Sequence, residues 1–132
     1  MSEVPPGGVV LAVDDEDLVL DLLVSALEEG GFAVRSVGGG REAIEVIEAA
    51  TAGDFRGLVT DVNLSRSVSG WDVARRAREL DPSIPVVYIS GDSGHDWEAQ
   101  GVPKSTLLQK PFASAQLVVA LASLMNAQQS DG

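Results

Sequence analysis

The sequence predicts an α/β fold: a three-layer sandwich in which a five-stranded parallel sheet carries helices on both faces. Three observations predict it. Apolar runs of four to six residues, bounded by turn signals, alternate with stretches whose apolar positions recur at helical spacing. The central runs are apolar along their whole length, as strands covered on both faces must be. The 132 residues contain no internal linker and are enough to bury one real core. One domain is therefore expected at residues 8–127, between flexible tails at Met1–Gly7 and Gln128–Gly132.

The first strand is Val9–Val13. The helix after it, Asp15–Glu29, places Val19, Leu22, Leu23, Ala26 and Leu27 on one face, and Gly30 and Gly31 end it as left-handed cap residues would. A second strand, Ala33–Val37, leads into Gly38-Gly39-Gly40. This triplet lacks the lysine and spacing of a phosphate-binding loop and is read as a flexible turn. The next helix, Arg41–Ala50, buries Ala43, Ile44 and Ile47. Gly57–Asp61 is the third strand, followed by a helix at Gly70–Leu80 with Val73, Ala74 and Ala77 inward, which Asp81-Pro82 stops. After the fourth strand, Val86–Ser90, the chain is weakly patterned from Gly91 to Pro103 and holds only a short helix around Asp96–Gln100. The fifth strand, Thr106–Gln109, precedes a last helix, Ser114–Asn126, whose Leu117, Val118, Leu121, Leu124 and Met125 face in.

Composition excludes several function classes. No apolar run approaches the roughly eighteen residues of a membrane span, and Met1 to Gly8 carries no basic segment followed by an apolar one, so a cytoplasmic location without membrane insertion is expected. The chain has no cysteine, which excludes disulfides, thiolate metal sites and cysteine nucleophiles. With 20 acids against 9 bases the net charge is −11, which argues against nucleic acid as a direct partner.

In an open parallel sheet, ligands collect beyond the carboxyl ends of the strands. Strand one ends at Asp14-Asp15, strand three at Asp61, strand four at Ser90 and strand five at Lys110, so an acid pair, a lone acid, a hydroxyl and an amine should converge at one edge. Three carboxylates with no soft donor suit magnesium, a hard cation that keeps several waters. With the acids neutralised, an Asp61 oxygen can attack a phosphoryl group while the Lys110 ammonium and the Ser90 hydroxyl meet its oxygens. Glu16 and Asp17, by contrast, read as solvated acids at a helix start.

These residues carry a resemblance. "AVDDE" (Ala12–Glu16), "LVTDVNL" (Leu58–Leu64), "YISGD" (Tyr88–Asp92) and "KPF" (Lys110–Phe112) stand in order at strand ends, and from about Val9 to Asn126 the chain resembles the response-regulator receiver domain of two-component signalling. The resemblance implies a flavodoxin-like fold, with Asp61 as phosphoacceptor for a sensor histidine kinase. It makes Asp14 and Asp15 the metal-binding acids for Mg2+ or Mn2+ and the Asn63 backbone carbonyl a further ligand. Ser90 matches the switch hydroxyl, Lys110 the family's lysine, and Lys110-Pro111 its cis peptide. Asn63 and Asp92 fall where the family tunes hydrolysis of its acyl phosphate. The implied protein is a phosphoryl-accepting signalling domain rather than an enzyme, of stand-alone type because no effector sequence follows Asn126, and a monomer or weak dimer. Beyond the kinase, a histidine phosphotransfer protein or a downstream signalling protein would be its partner.

The departures are specific. Leu64-Ser65 stands where the family has Met-Pro, and Gly70 comes one residue late, so the loop Asn63–Gly70 is expected to be more mobile. Leu107 occupies the place of the aromatic switch residue and cannot flip a polar ring. The fourth helix is short or degenerate. Two alternatives remain at this point. One is a haloacid-dehalogenase-like phosphatase with Asp15 as nucleophile, since "DEDLV" fits that family's DxDxV motif. The other is a pseudo-receiver that only docks. His95 reads as an exposed loop residue, Trp71 and Trp97 as packing or surface aromatics, and Val119, Ala120 and Ala122 as either tolerated surface or a docking face.

Overall fold

The computed structural model describes residues 8–64, 68–92 and 94–131. Five strands, β1 (Val9–Val13), β2 (Ala33–Val37), β3 (Phe55–Asp61), β4 (Val86–Ser90) and β5 (Ser105–Gln109), form one parallel sheet in the order β2-β1-β3-β4-β5. The helices are α1 (Asp17–Glu29), α2 (Gly40–Ala49), α3 (Gly70–Leu80), α4 (Trp97–Gln100) and α5 (Ser114–Asp131), with a single 3-10 turn at Gly94–Asp96 leading into α4. Among the described residues no helix is long and apolar enough to cross a membrane.

Because side chains alternate across a strand, each strand feeds two cores. Leu11, Val13, Leu58, Val86 and Tyr88 pack with Ala43 and Ile47 of α2 and Val73, Ala74 and Ala77 of α3. Val10, Ala12, Val59, Val87 and Ile89 pack on the other face with Leu23, Ala26 and Leu27 of α1 and Leu117, Leu121 and Met125 of α5. The register runs Val10 beside Gly57 on β3, then Leu58 beside Val86 on β4, then Tyr88 beside Leu107 on β5. At Gly57 a side chain would meet Leu121 at 2.9 Å, so its bare Cα lets α5 lie close to the sheet.

Several expectations needed correction. α1 begins at Asp17 rather than Asp15, because the Asp14 carboxylate accepts the Glu16 backbone N–H at 2.8 Å and holds Glu16 extended. Leu22 is 65% exposed instead of buried. The inward stripe runs through Leu23, Ala26 and Leu27, with Val19 and Leu20 half-buried against it. Gly30 is not left-handed, with φ −80°; Gly31, at +92°, is. A side chain on Gly30 would meet Val118 at 2.8 Å, so that glycine serves helix packing. Gly40 is no flexible turn: it starts α2, and a side chain there would meet Val68 at 2.7 Å. β3 starts two residues before Gly57, β5 one before Thr106, and α2 covers Gly40–Ala49. α5 runs on through Gln128 to Asp131. Met1–Gly7, and Ser65, Arg66 and Ser67 of the loop expected to be mobile, lie outside the described residues.

Candidate functional site

The strand order reverses between β1 and β3, and beyond their carboxyl ends the crevice forms. Asp14, Asp15 and Asp61 meet there: one carboxylate oxygen of each lies within 4.8 Å of the others. Asp14 and Asp61 are buried and Asp15 is half-buried. Lys110 follows β5, and its backbone N–H donates to the Ser90 carbonyl at 2.8 Å, which ties the tip of β5 to that of β4. Its Nζ stands 3.6 Å from Asp61 Oδ2 and 3.9 Å from Asp14 Oδ2. The Lys110-Pro111 bond is cis, as the resemblance implied.

Burial dominates the electrostatics. It pushes the Asp61 carboxyl up to about 6, helped by the Asp14 charge and opposed by Lys110 and by a hydrogen bond from the Asn63 backbone N–H. Asp14 is also raised, first by burial, against the Glu16 N–H and Lys110. Asp14 Oδ2 is buried with no hydrogen-bond partner. A buried anionic oxygen lacking a donor is costly, and a cation removes that cost. Hard oxygen donors from three carboxylates fit Mg2+ or Mn2+ on chemical grounds.

The other expected residues fall around this cluster. Ser90 is buried at the tip of β4. The Asn63 side chain donates to Asp92 Oδ1 at 3.1 Å, so the two residues expected to govern hydrolysis touch each other. Leu107 is half-buried on β5 against the core shared with α2 and α3. His95 is exposed. Trp71 packs its ring 4.6 Å from that of Tyr88, and Trp97 donates to Ser105 Oγ at 2.9 Å.

Three residues carry more than the sequence reading gave them. Gly70 presses against the Asp61 backbone: a side chain there would collide with the Asp61 carbonyl, and its N–H donates to Val62 O at 2.9 Å. Tyr88 is fully buried, and its hydroxyl accepts the Val102 N–H at 3.1 Å. Glu16, read as a solvated helix acid, reaches Lys110 Nζ at 3.8 Å. An acid immediately after the Asp14-Asp15 pair was the available signal for Glu16, and the family's glycine, displaced by one residue, was that for Gly70; nothing local pointed to the role of Tyr88.

A family model of the response regulator receiver domain matches residues 10–122. The chain belongs to the response regulator receiver family. This receiver is 43% identical to a response regulator receiver protein from Sinorhizobium medicae WSM419, whose crystal structure superposes with a TM-score of 0.88 over 92% of this chain and 97% of that one. It is 31% identical over 112 residues to the response regulator receiver protein CpdR of Brucella abortus, covering 83% of this chain and 89% of CpdR. The receiver domain of sensor histidine kinase PA1611 from Pseudomonas aeruginosa PAO1 shares the fold, with a TM-score of 0.76 and 22% identity over 91% of this chain and 98% of that one. That structure has a magnesium ion coordinated in its active-site cleft. Other curated relatives are much longer: the chain spans 13% of a sensor kinase and about half of several transcriptional regulators. Membership sets aside the phosphatase alternative with Asp15 as nucleophile.

Proposed function

We propose that this receiver accepts a phosphoryl group on Asp61 from the phosphohistidine of a sensor histidine kinase or phosphotransfer protein, in the cytoplasm, and signals by a change in partner binding. One observation carries the reading: a buried Asp61 carboxylate lies between two further acids and the Lys110 ammonium, beside an Asp14 oxygen with no donor. Asp14, Asp15 and Asp61, with the Asn63 carbonyl, would hold Mg2+ or Mn2+. A bound divalent cation supplies neutralisation of the acids and a Lewis-acid contact for phosphoryl oxygens.

The chain's own groups do the rest. An Asp61 oxygen attacks phosphorus as the N–P bond of the donor breaks, and the imidazole, protonated beforehand on its other nitrogen, leaves neutral. Lys110 stabilises charge on one phosphoryl oxygen, and the Ser90 hydroxyl donates to another. Asn63 and Asp92, joined by their hydrogen bond, stand at the rim where they can orient a hydrolytic water, which gives a phosphoform that is not especially long-lived. Leu107 brings no polar ring to the switch.

The test is intact mass after incubation with a divalent cation and acetyl phosphate. A single phosphoryl adduct is expected on the wild type and none on Asp61→Ala. Absence of an adduct on the wild type would leave the docking-only reading. Decay of the adduct should slow in Asp92→Ala; unchanged decay removes the role given to that acid.

A further inference from the structure

Glu16 occupies the N-cap position of α1, yet its side chain makes no capping hydrogen bond. The helix therefore does not account for where the carboxylate lies. It turns instead to Lys110, 3.8 Å away, a separation equivalent to those from the same ammonium to Asp61 and Asp14. The three acids differ in burial. Asp14 and Asp61 are enclosed, whereas the Glu16 side chain is 66% exposed and that of Lys110 26%. Glu16 is thus the anion on the solvent side of the ammonium, where a phosphodonor must enter.

We infer that Glu16 is a specificity-determining residue that lowers the reactivity of this receiver toward small, free, highly charged phosphodonors. The inference rests on the proposed phosphoryl transfer to Asp61. Two effects act in the same direction. An incoming phosphoryl oxygen competes with Glu16 for the Lys110 charge, because the ammonium already stands 3.6 to 3.9 Å from three carboxylates. The donor's own charge is also repelled at the rim, more strongly for a dianion than for a monoanion. A protein donor that brings a cationic side chain to Glu16 removes both penalties as it docks, so the same residue favours a protein donor over a solute.

The experiment measures initial phosphorylation rates by intact mass with dianionic acetyl phosphate and monoanionic phosphoramidate, over a range of donor and salt concentrations. It compares wild type, Glu16→Gln and Asp17→Asn, the last removing an equal charge one residue along that has no contact with Lys110. In both reactions the bond from phosphorus to the leaving group breaks as the Asp61 oxygen–phosphorus bond forms, releasing acetate or, after protonation, ammonia. Glu16→Gln is expected to raise the apparent second-order rate for acetyl phosphate about two- to fivefold, the range of an exposed ion pair. The gain should be smaller for phosphoramidate and should shrink with salt. Asp17→Asn should leave the ratio between donors as in the wild type. A donor ratio unchanged by Glu16→Gln, or changed equally by Asp17→Asn, overturns the inference while the acceptor role of Asp61 stands. No adduct on the wild type with either donor overturns both.

Discussion

Asp61 is ionised at a cost to the fold. Its carboxyl sits near 6 because burial and the Asp14 charge disfavour the anion, whereas in the unfolded chain it titrates at an ordinary carboxylate value. Between those two values the folded state binds more protons than the unfolded one, so stability falls as pH rises through the window and levels off above it. The metal-free protein should therefore lose on the order of 2 kcal/mol between about pH 4 and pH 7 through this group. Urea melts in chelator should show the decline in wild type and a flatter profile in Asp61→Asn, which should also be the more stable protein at pH 7.5. A wild-type profile as flat as the variant's would contradict the assignment. Tyr88 carries a different residue-scale constraint. Its hydroxyl satisfies the buried Val102 N–H, so Tyr88→Phe should cost about 1 to 3 kcal/mol, the penalty of leaving that donor without a partner. Equal urea midpoints for the two proteins would show that water replaces the phenol.

At the scale of the element, α3 is set by its first residues. Ser69 and Asp72 form a reciprocal capping box, and Gly70 lets the helix start against the Asp61 carbonyl. Gly70→Ala should push helix and strand apart, destabilising the protein by roughly 2 kcal/mol or more and slowing phosphorylation together with it. Ser69→Ala should cost about 1 kcal/mol through the lost cap and leave the phosphorylation rate near wild type. Denaturation and adduct formation measured on both variants separate the two effects. What the sequence could show follows from the range of each force. The apolar runs located all five strands, and helical spacing located α3 to the residue, because both patterns are local. The start of α1 was misread since the Asp14 carboxylate, accepting the Glu16 backbone N–H, holds Glu16 extended. Leu22 was assigned inward because apolar residues on two adjacent faces of α1 give no sign of which one meets the sheet. Gly30 and Gly40 were legible only as cap and turn residues, and Gly70 only as a helix start and a displaced family glycine; their real constraint is the approach of Val118, Val68 and Asp61, which are distant in sequence. The acids and Lys110 were legible because strand ends in a parallel sheet share one edge.

Over the whole molecule, the charge of −11 and the site act together. The strand order brings three acids to one crevice, and the rest of the chain surrounds them with a field of the same sign, so a divalent cation is attracted by the total and held by the cluster. A ligand that binds only the folded state stabilises it by RT ln(1 + [L]/Kd), about 2.7 kcal/mol at a hundredfold excess over Kd. For a chain of this size that corresponds to a rise in Tm of roughly 10 °C. Mg2+ also screens surface repulsion, as any salt does, so the comparison must be made against NaCl at matched ionic strength. The rise should be large with Mg2+ in wild type, small with NaCl, and mostly lost in Asp14→Asn, where the donorless Oδ2 is replaced by an amide. It should persist in Asp17→Asn, which changes the total charge equally but leaves the crevice intact. If the two variants responded alike, the stabilisation would come from diffuse charge alone, and the convergence of Asp14, Asp15 and Asp61 would not be a binding site.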